Sequence, residues 1–123
     1  MTRTYKAMIV EDDKDLTEIF SIALKRAGYE TEILYAGDEA CSRLDEFVPD
    51  LILLDIQLPE VSGVDVLEYV RSNPRFEKTR IIVATASPIR IEHLREDADL
   101  VLVKPISVNQ LSELATRMRP QQP

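Results

Sequence analysis

Five short runs rich in β-branched and aliphatic residues, at 5–10, 30–35, 51–54, 80–84 and 100–103, alternate with stretches whose apolar residues recur every three or four positions. Strands joined by helical crossovers run parallel, so this alternation leaves few architectures open. Runs such as Leu51-Ile52-Leu53-Leu54 are apolar at every position and need cover on both faces, which helices on either side of a parallel sheet provide. The fold expected is α/β and doubly wound.

The helical stretches read in the same way. The first, 14–27, places Leu16, Ile19, Phe20, Ala23, Leu24 and Ala27 at helical spacing, with Gly28 as its C-cap. The second carries Ala40, Leu44 and Phe47 and must end near Pro49. The third follows a loop bearing Pro59 and Gly63, faces inward with Val64, Leu67 and Val70, and stops at Asn73-Pro74. A weaker helix at 89–98 has Ile91, Leu94 and Ala98 inward. The fifth opens at Ser107, with Gln110 at capping-box spacing, and carries Val108, Leu111, Leu114, Ala115 and Met118.

A length of 123 residues fits a single domain, 1–123, with a core over 5–118 and a flexible tail at 119–123. The net charge of -7 repels phosphate backbones, and Arg117 and Arg119 do not reverse that, so direct nucleic-acid binding is not expected. No apolar stretch approaches the roughly 18 residues that cross a bilayer. Cys41 is the single cysteine and has no internal disulfide partner; with no secretory signal pattern at the start, a cytoplasmic location is expected. Cys41 reads as an inert thiol, and His93, with no matching ligand set, as a surface residue.

The chemistry lies at the strand ends. Glu11, Asp12 and Asp13 follow the first run, Asp55 the third, Thr85 the fourth and Lys104 the fifth. Open parallel sheets bind ligands beyond the carboxyl ends of their strands, so these groups are expected in one crevice. Clustered carboxylates repel one another unless a cation neutralises them, and an all-oxygen set without His or Cys favours Mg²⁺ (or Mn²⁺) over zinc. An ammonium and a hydroxyl nearby suit the stabilisation of a phosphoryl group attacked by a carboxylate. Taken alone, each residue has a plainer reading: the acidic run as a favourable helix N-terminus with Asp13 as N-cap, Asp55 as a loop carboxylate, Thr85 as a strand end.

Ile9-Val10-Glu11-Asp12-Asp13, then Leu53-Leu54-Asp55-Ile56-Gln57-Leu58-Pro59 with Gly63, then Ala84-Thr85-Ala86, then Val103-Lys104-Pro105 occur in this order on the expected elements. In these pieces the chain resembles a bacterial two-component response-regulator receiver domain, chemotaxis-regulator-like, from Lys6 to about Met118. The resemblance implies a flavodoxin-like five-stranded parallel sheet in strand order 2-1-3-4-5. It implies Asp55 as phosphoacceptor, Thr85 as switch hydroxyl, Lys104 as phosphate-binding lysine and a cis peptide before Pro105. It also implies a metal on Asp12, Asp55 and the Gln57 carbonyl, with Glu11 acting mostly through water. The implied partners are a histidine kinase or phosphotransfer protein and a downstream protein.

Two features depart from the family's pattern. Val101 stands where an aromatic switch residue is usual, and the interval from Thr85 to Lys104 is a few residues shorter, the deficit falling in the weak helix at 89–98. Three other readings compete. A flavin-binding module would need a phosphate cradle where this chain is anionic. An aspartyl-nucleophile phosphatase would need a second Asp at position 57, which is Gln57. A phosphate-independent docking domain would keep the fold alone.

Overall fold

The computed structural model describes residues 4–87 and 94–120. Its strands are β1 (Tyr5–Val10), β2 (Tyr29–Leu34), β3 (Leu51–Asp55), β4 (Arg80–Thr85) and β5 (Leu100–Val103). Its helices are α1 (Lys14–Arg26), α2 (Gly37–Leu44), α3 (Gly63–Arg71) and α4 (Val108–Arg117), with a 3-10 turn at Pro74–Phe76. The strands form one sheet in the order β2-β1-β3-β4-β5, and every pairing is parallel.

Strand side chains alternate between two cores. Ile9, Leu53, Ile82 and Leu102 pack with Phe20 and Leu24 of α1 and Leu111 and Ala115 of α4. Met8, Val10, Ile52, Leu54, Ile81 and Val83 pack on the other face with Ala40, Leu44, Val66, Leu67 and Val70 from α2 and α3. Phe76, delivered by the 3-10 turn, is completely buried in the second core.

The helix ends follow the capping chemistry of the sequence. Asp13 caps α1 by accepting from the N–H groups of Asp15 and Leu16. Ser62 and Ser107 cap α3 and α4 by accepting from Asp65 and Gln110. Gly28 follows α1 with a φ of 96°. Beyond α4, the Arg119 guanidinium lies over the Tyr5 ring, and the Tyr5 hydroxyl donates to the Pro120 carbonyl.

Of the weak helix expected at 89–98, residues 89–93, and with them Ile89, Ile91 and His93, lie outside the described residues. Leu94 is buried in the second core and Ala98 packs against it, as their spacing predicts.

Candidate functional site

Register sets the site. Val10 stands opposite Leu54, Asp55 opposite Ala84, and Thr85 opposite Val103, so the carboxyl ends of the four strands β1, β3, β4 and β5 come out nearly level. Glu11 continues the parity of Ala7 and Ile9, Asp55 that of Leu51 and Leu53, and Lys104 that of Leu100 and Leu102, all on the α1 and α4 side. These three therefore meet. Thr85 has the opposite parity, following Ile81 and Val83, and turns toward the α3 side.

The Lys104 ammonium lies 2.8 Å from Glu11 Oε1 and 3.5 Å from Asp55 Oδ2. Glu11 is 1% exposed and Asp55 4%. The second Glu11 oxygen accepts from the Asp13 N–H at 3.2 Å, and Asp55 Oδ1 accepts from the Gln57 N–H at 3.0 Å. Asp12 is exposed, and one oxygen from each of Glu11, Asp12 and Asp55 lies within 4.8 Å of the others. The Lys104–Pro105 peptide is cis, as the resemblance implies. Thr85 Oγ1 accepts from the Ser87 N–H at 3.1 Å and donates to the Ser87 carbonyl at 3.2 Å. Val101 is half-buried against the second core.

Burial pushes the Glu11 carboxyl up to about 7; Asp55 adds to the rise, and the bonds from Lys104 and Asp13 oppose it. Burial also works against the Lys104 charge, but its bond to Glu11 and the charge of Asp55 outweigh that and hold its pKa above the ordinary value. One ammonium shared between two buried carboxylates cannot neutralise both. The surplus negative charge and the all-oxygen donor set, with Asp12 open to solvent, fit a hard divalent cation.

A cavity of about 490 Å³ adjoins Thr85, lined by Ile56, Gln57, Ser62, Val64, Ser87 and Leu94. A larger one of about 710 Å³ lies at the opposite end of the strands. Among its walls Arg71 and Arg80 both pair with Asp99, and none of the strand-end carboxylates lines it, so it is not the candidate.

The sequence matches the response regulator receiver domain family over residues 7–116. The chain belongs to that family. This receiver is 34% identical over 115 residues to the transcriptional regulatory protein TrcR of Mycobacterium tuberculosis, covering 93% of this chain and 44% of TrcR. It is 36% identical over 113 residues to the polar-differentiation response regulator DivK of Brucella abortus, covering 89% of this chain and 92% of DivK. The receiver thus spans less than half of TrcR and most of DivK. Its fold is similar to that of the phosphorylated cyanobacterial phytochrome response regulator RcpA, with a TM-score of 0.81 and 26% identity over 94% of this chain and 91% of RcpA. The chain is therefore a phosphorelay signalling receiver. Receiver domains are phosphoacceptors that bind Mg²⁺ and work with kinase or phosphotransfer partners. Among the described residues no helix is long and apolar enough to cross a membrane.

The residues expected at the receiver's strand ends, Glu11, Asp12, Asp55 and Lys104, are together, with Gln57 and Thr85 beside them. Ser87 was not anticipated, although a hydroxyl residue two positions before a backbone N–H is the spacing of a side-chain turn. Cys41 is half-buried, and burial raises its thiol pKa, in keeping with an inert residue.

Proposed function

We propose that Asp55 accepts the phosphoryl group, from a histidine kinase or a phosphotransfer protein, with Mg²⁺ at Glu11, Asp12, Asp55 and the Gln57 carbonyl. The convergence of three carboxylates and one ammonium on the carboxyl ends of β1, β3 and β5 carries this reading. In the transfer, the P–N bond of the donor phosphohistidine breaks as a P–O bond to the Asp55 carboxylate forms, and the imidazole leaves. The Gln57 N–H fixes Asp55 Oδ1, which orients the carboxylate. Lys104, 3.5 Å from Asp55 Oδ2, supplies a fixed positive charge for the incoming phosphoryl oxygens. Mg²⁺, when bound, offsets the remaining carboxylate charge and that of the phosphoryl group. Thr85 donates to a phosphoryl oxygen once its proton leaves the Ser87 carbonyl.

On this reading the domain, 1–123, is a signalling module and not an enzyme with a separate substrate, although it assists its own phosphorylation and autodephosphorylation. It acts in the cytoplasm, where response regulators generally work, and it changes a protein-binding surface. Intact mass with acetyl phosphate and Mg²⁺ tests it. One added phosphoryl group is expected in the wild type and none in Asp55→Asn or without Mg²⁺. Equal labelling of Asp55→Asn would remove the assignment, and no labelling of the wild type would leave a phosphate-independent docking domain.

A further inference from the structure

The chain has three glycines, and two of them stand against one loop, 56–62, which follows Asp55. Gly63 opens α3 and donates its N–H to the Ile56 carbonyl at 3.2 Å. A Cβ at Gly63 would lie 2.2 Å from the Asp55 carbonyl oxygen and 2.5 Å from Ile56 Cα. Gly37 opens α2, which supplies no group to the site. A Cβ at Gly37 would lie 2.5 Å from the Val61 carbonyl oxygen and 3.0 Å from Val61 Cγ1. At both positions the nearest atom belongs to the backbone, so no rotamer change relieves the overlap and the loop itself must move.

What Val61 meets at α2 is also electrostatically suited to a carbonyl. Ala36, the residue before the helix, gives no side-chain cap, and the Val61 carbonyl oxygen lies beside Gly37, the first residue at the positive end of α2. The loop held in this way contains Gln57, whose N–H orients Asp55, and the buried Leu58. Glu60 within it has a φ of 61°.

We propose that Gly37 is a positioning residue for the phosphoacceptor: the missing side chain lets Val61 seat against the start of α2, and this seat, with Gly63 at the other end, holds 56–62 where Gln57 meets Asp55. The consequence for Mg²⁺ rests on the assignment of Asp55 and Gln57 given above; the seat itself does not.

The test compares the wild type, Gly37→Ala and Leu111→Ala, the last truncating a buried residue in the other core. Amide exchange at 57–62 in the metal-free protein reads the seat. Mg²⁺ affinity by calorimetry reads its effect on the site. Gly37→Ala is expected to speed exchange at Gln57 and Val61 and to weaken Mg²⁺ binding about tenfold, the scale typical of groups that orient a metal's ligands. Leu111→Ala is expected to lower the urea midpoint while leaving both readouts unchanged. Unaltered exchange at 57–62 in Gly37→Ala overturns the seat. Faster exchange with unchanged Mg²⁺ affinity overturns the positioning role. A wild type that binds no Mg²⁺ removes the assignment of the site, and the exchange measurement then decides the seat alone. If Gly37→Ala does not fold, Val61→Ala, which removes the methyl groups packed on Gly37, must shift both readouts in the same direction or the proposal falls.

Discussion

Thr85 and Ser87 are locked in a reciprocal pair: the Thr85 hydroxyl accepts from the Ser87 N–H at 3.1 Å and returns its own proton to the Ser87 carbonyl at 3.2 Å. A phosphoryl oxygen can only accept, so Thr85 reaches it by withdrawing that proton from Ser87. Val101 is β-branched and has few χ1 states, so it makes no large rotamer exchange in response. With a beryllofluoride phosphate mimic, amide exchange is therefore expected to change at Ala86, Ser87 and 94–98, with little at Val101. Changes centred on β5 and α4, with those residues silent, would show that the signal takes another path.

The two acidic residues after β1 should contribute unequally to Mg²⁺ binding. Both Glu11 oxygens are already engaged, one by Lys104 and one by the Asp13 N–H, whereas Asp12 is exposed. Asp12→Ala is expected to abolish most Mg²⁺ affinity by calorimetry, and Glu11→Ala to reduce it less. Bound Mg²⁺ should also stabilise the wild type by about 2.7 kcal/mol at a hundred times Kd, read as a shift of the urea midpoint. Equal affinity in the wild type and Asp12→Ala would count against the ligand set.

Lys104→Met leaves Glu11 and Asp55 buried without their shared cation. Breaking a buried pair typically destabilises by about 3–5 kcal/mol. Here about 2 kcal/mol is expected, because Glu11, already pushed up to about 7, relieves itself by taking a proton. Adding Glu11→Gln to Lys104→Met should recover part of the loss. A urea midpoint unchanged by Lys104→Met would mean that the ammonium does not hold the carboxylates in place.

At alkaline pH the weak point is Tyr29. Its buried hydroxyl donates to the Ala115 carbonyl at 2.9 Å, and burial, with the charge of Asp50, raises its pKa from 10.0 to about 12. The folded pKa lies above the unfolded one, so the contribution is complete below pH 10 and disappears as pH rises through 12. Ionising the buried phenol across this window costs roughly 3 kcal/mol of stability. Tyr29→Phe should lose about 1 kcal/mol at neutral pH with the hydrogen bond. In exchange, its stability should be flatter across the alkaline window. Denaturant midpoints against pH decide this, and parallel slopes in the two proteins would remove Tyr29 as the cause.

Much of the frame was legible because buried strands and capped helices leave compact signals. β1 and β5 have the expected bounds, and Asp13 and Ser107 cap their helices as expected, whereas α1 ends one residue early, with Ala27 as its C-cap and Gly28 after it. Differences arise where tertiary contacts decide. β2 begins at Tyr29 rather than residue 30, because Tyr29 pairs with Tyr5 and its hydroxyl reaches α4. α2 stops at Leu44, and Phe47 is held from the turn beyond it, under the Arg43 guanidinium. In α3 the buried stripe is Gly63, Val66, Leu67 and Val70, with Val64 only half-buried. A glycine does not register as apolar, so the spacing overlooks Gly63 and Val66, while Leu67 and Val70 are buried as it predicts. Asp55, Thr85 and Lys104 were legible as strand-end polar residues. The Ser87 turn and the Gly37 contact with Val61 were not, since both depend on where a loop lies in space.

The strand order has a bearing on how the chain is made. After β1, α1 and β2 have emerged from a ribosome, β3, β4 and β5 each add to one growing edge, so the sheet can accrete in the direction of synthesis without reopening. The two cores do not mature together. The α2 and α3 side is supplied early, whereas Phe20 and Leu24 of α1 wait for Leu111 and Ala115 of α4, the last of the described elements in chain order. A nascent chain stalled before α4 would hold a nearly complete sheet with one greasy face covered by α1 alone, and that is the intermediate on which a chaperone would be expected to act.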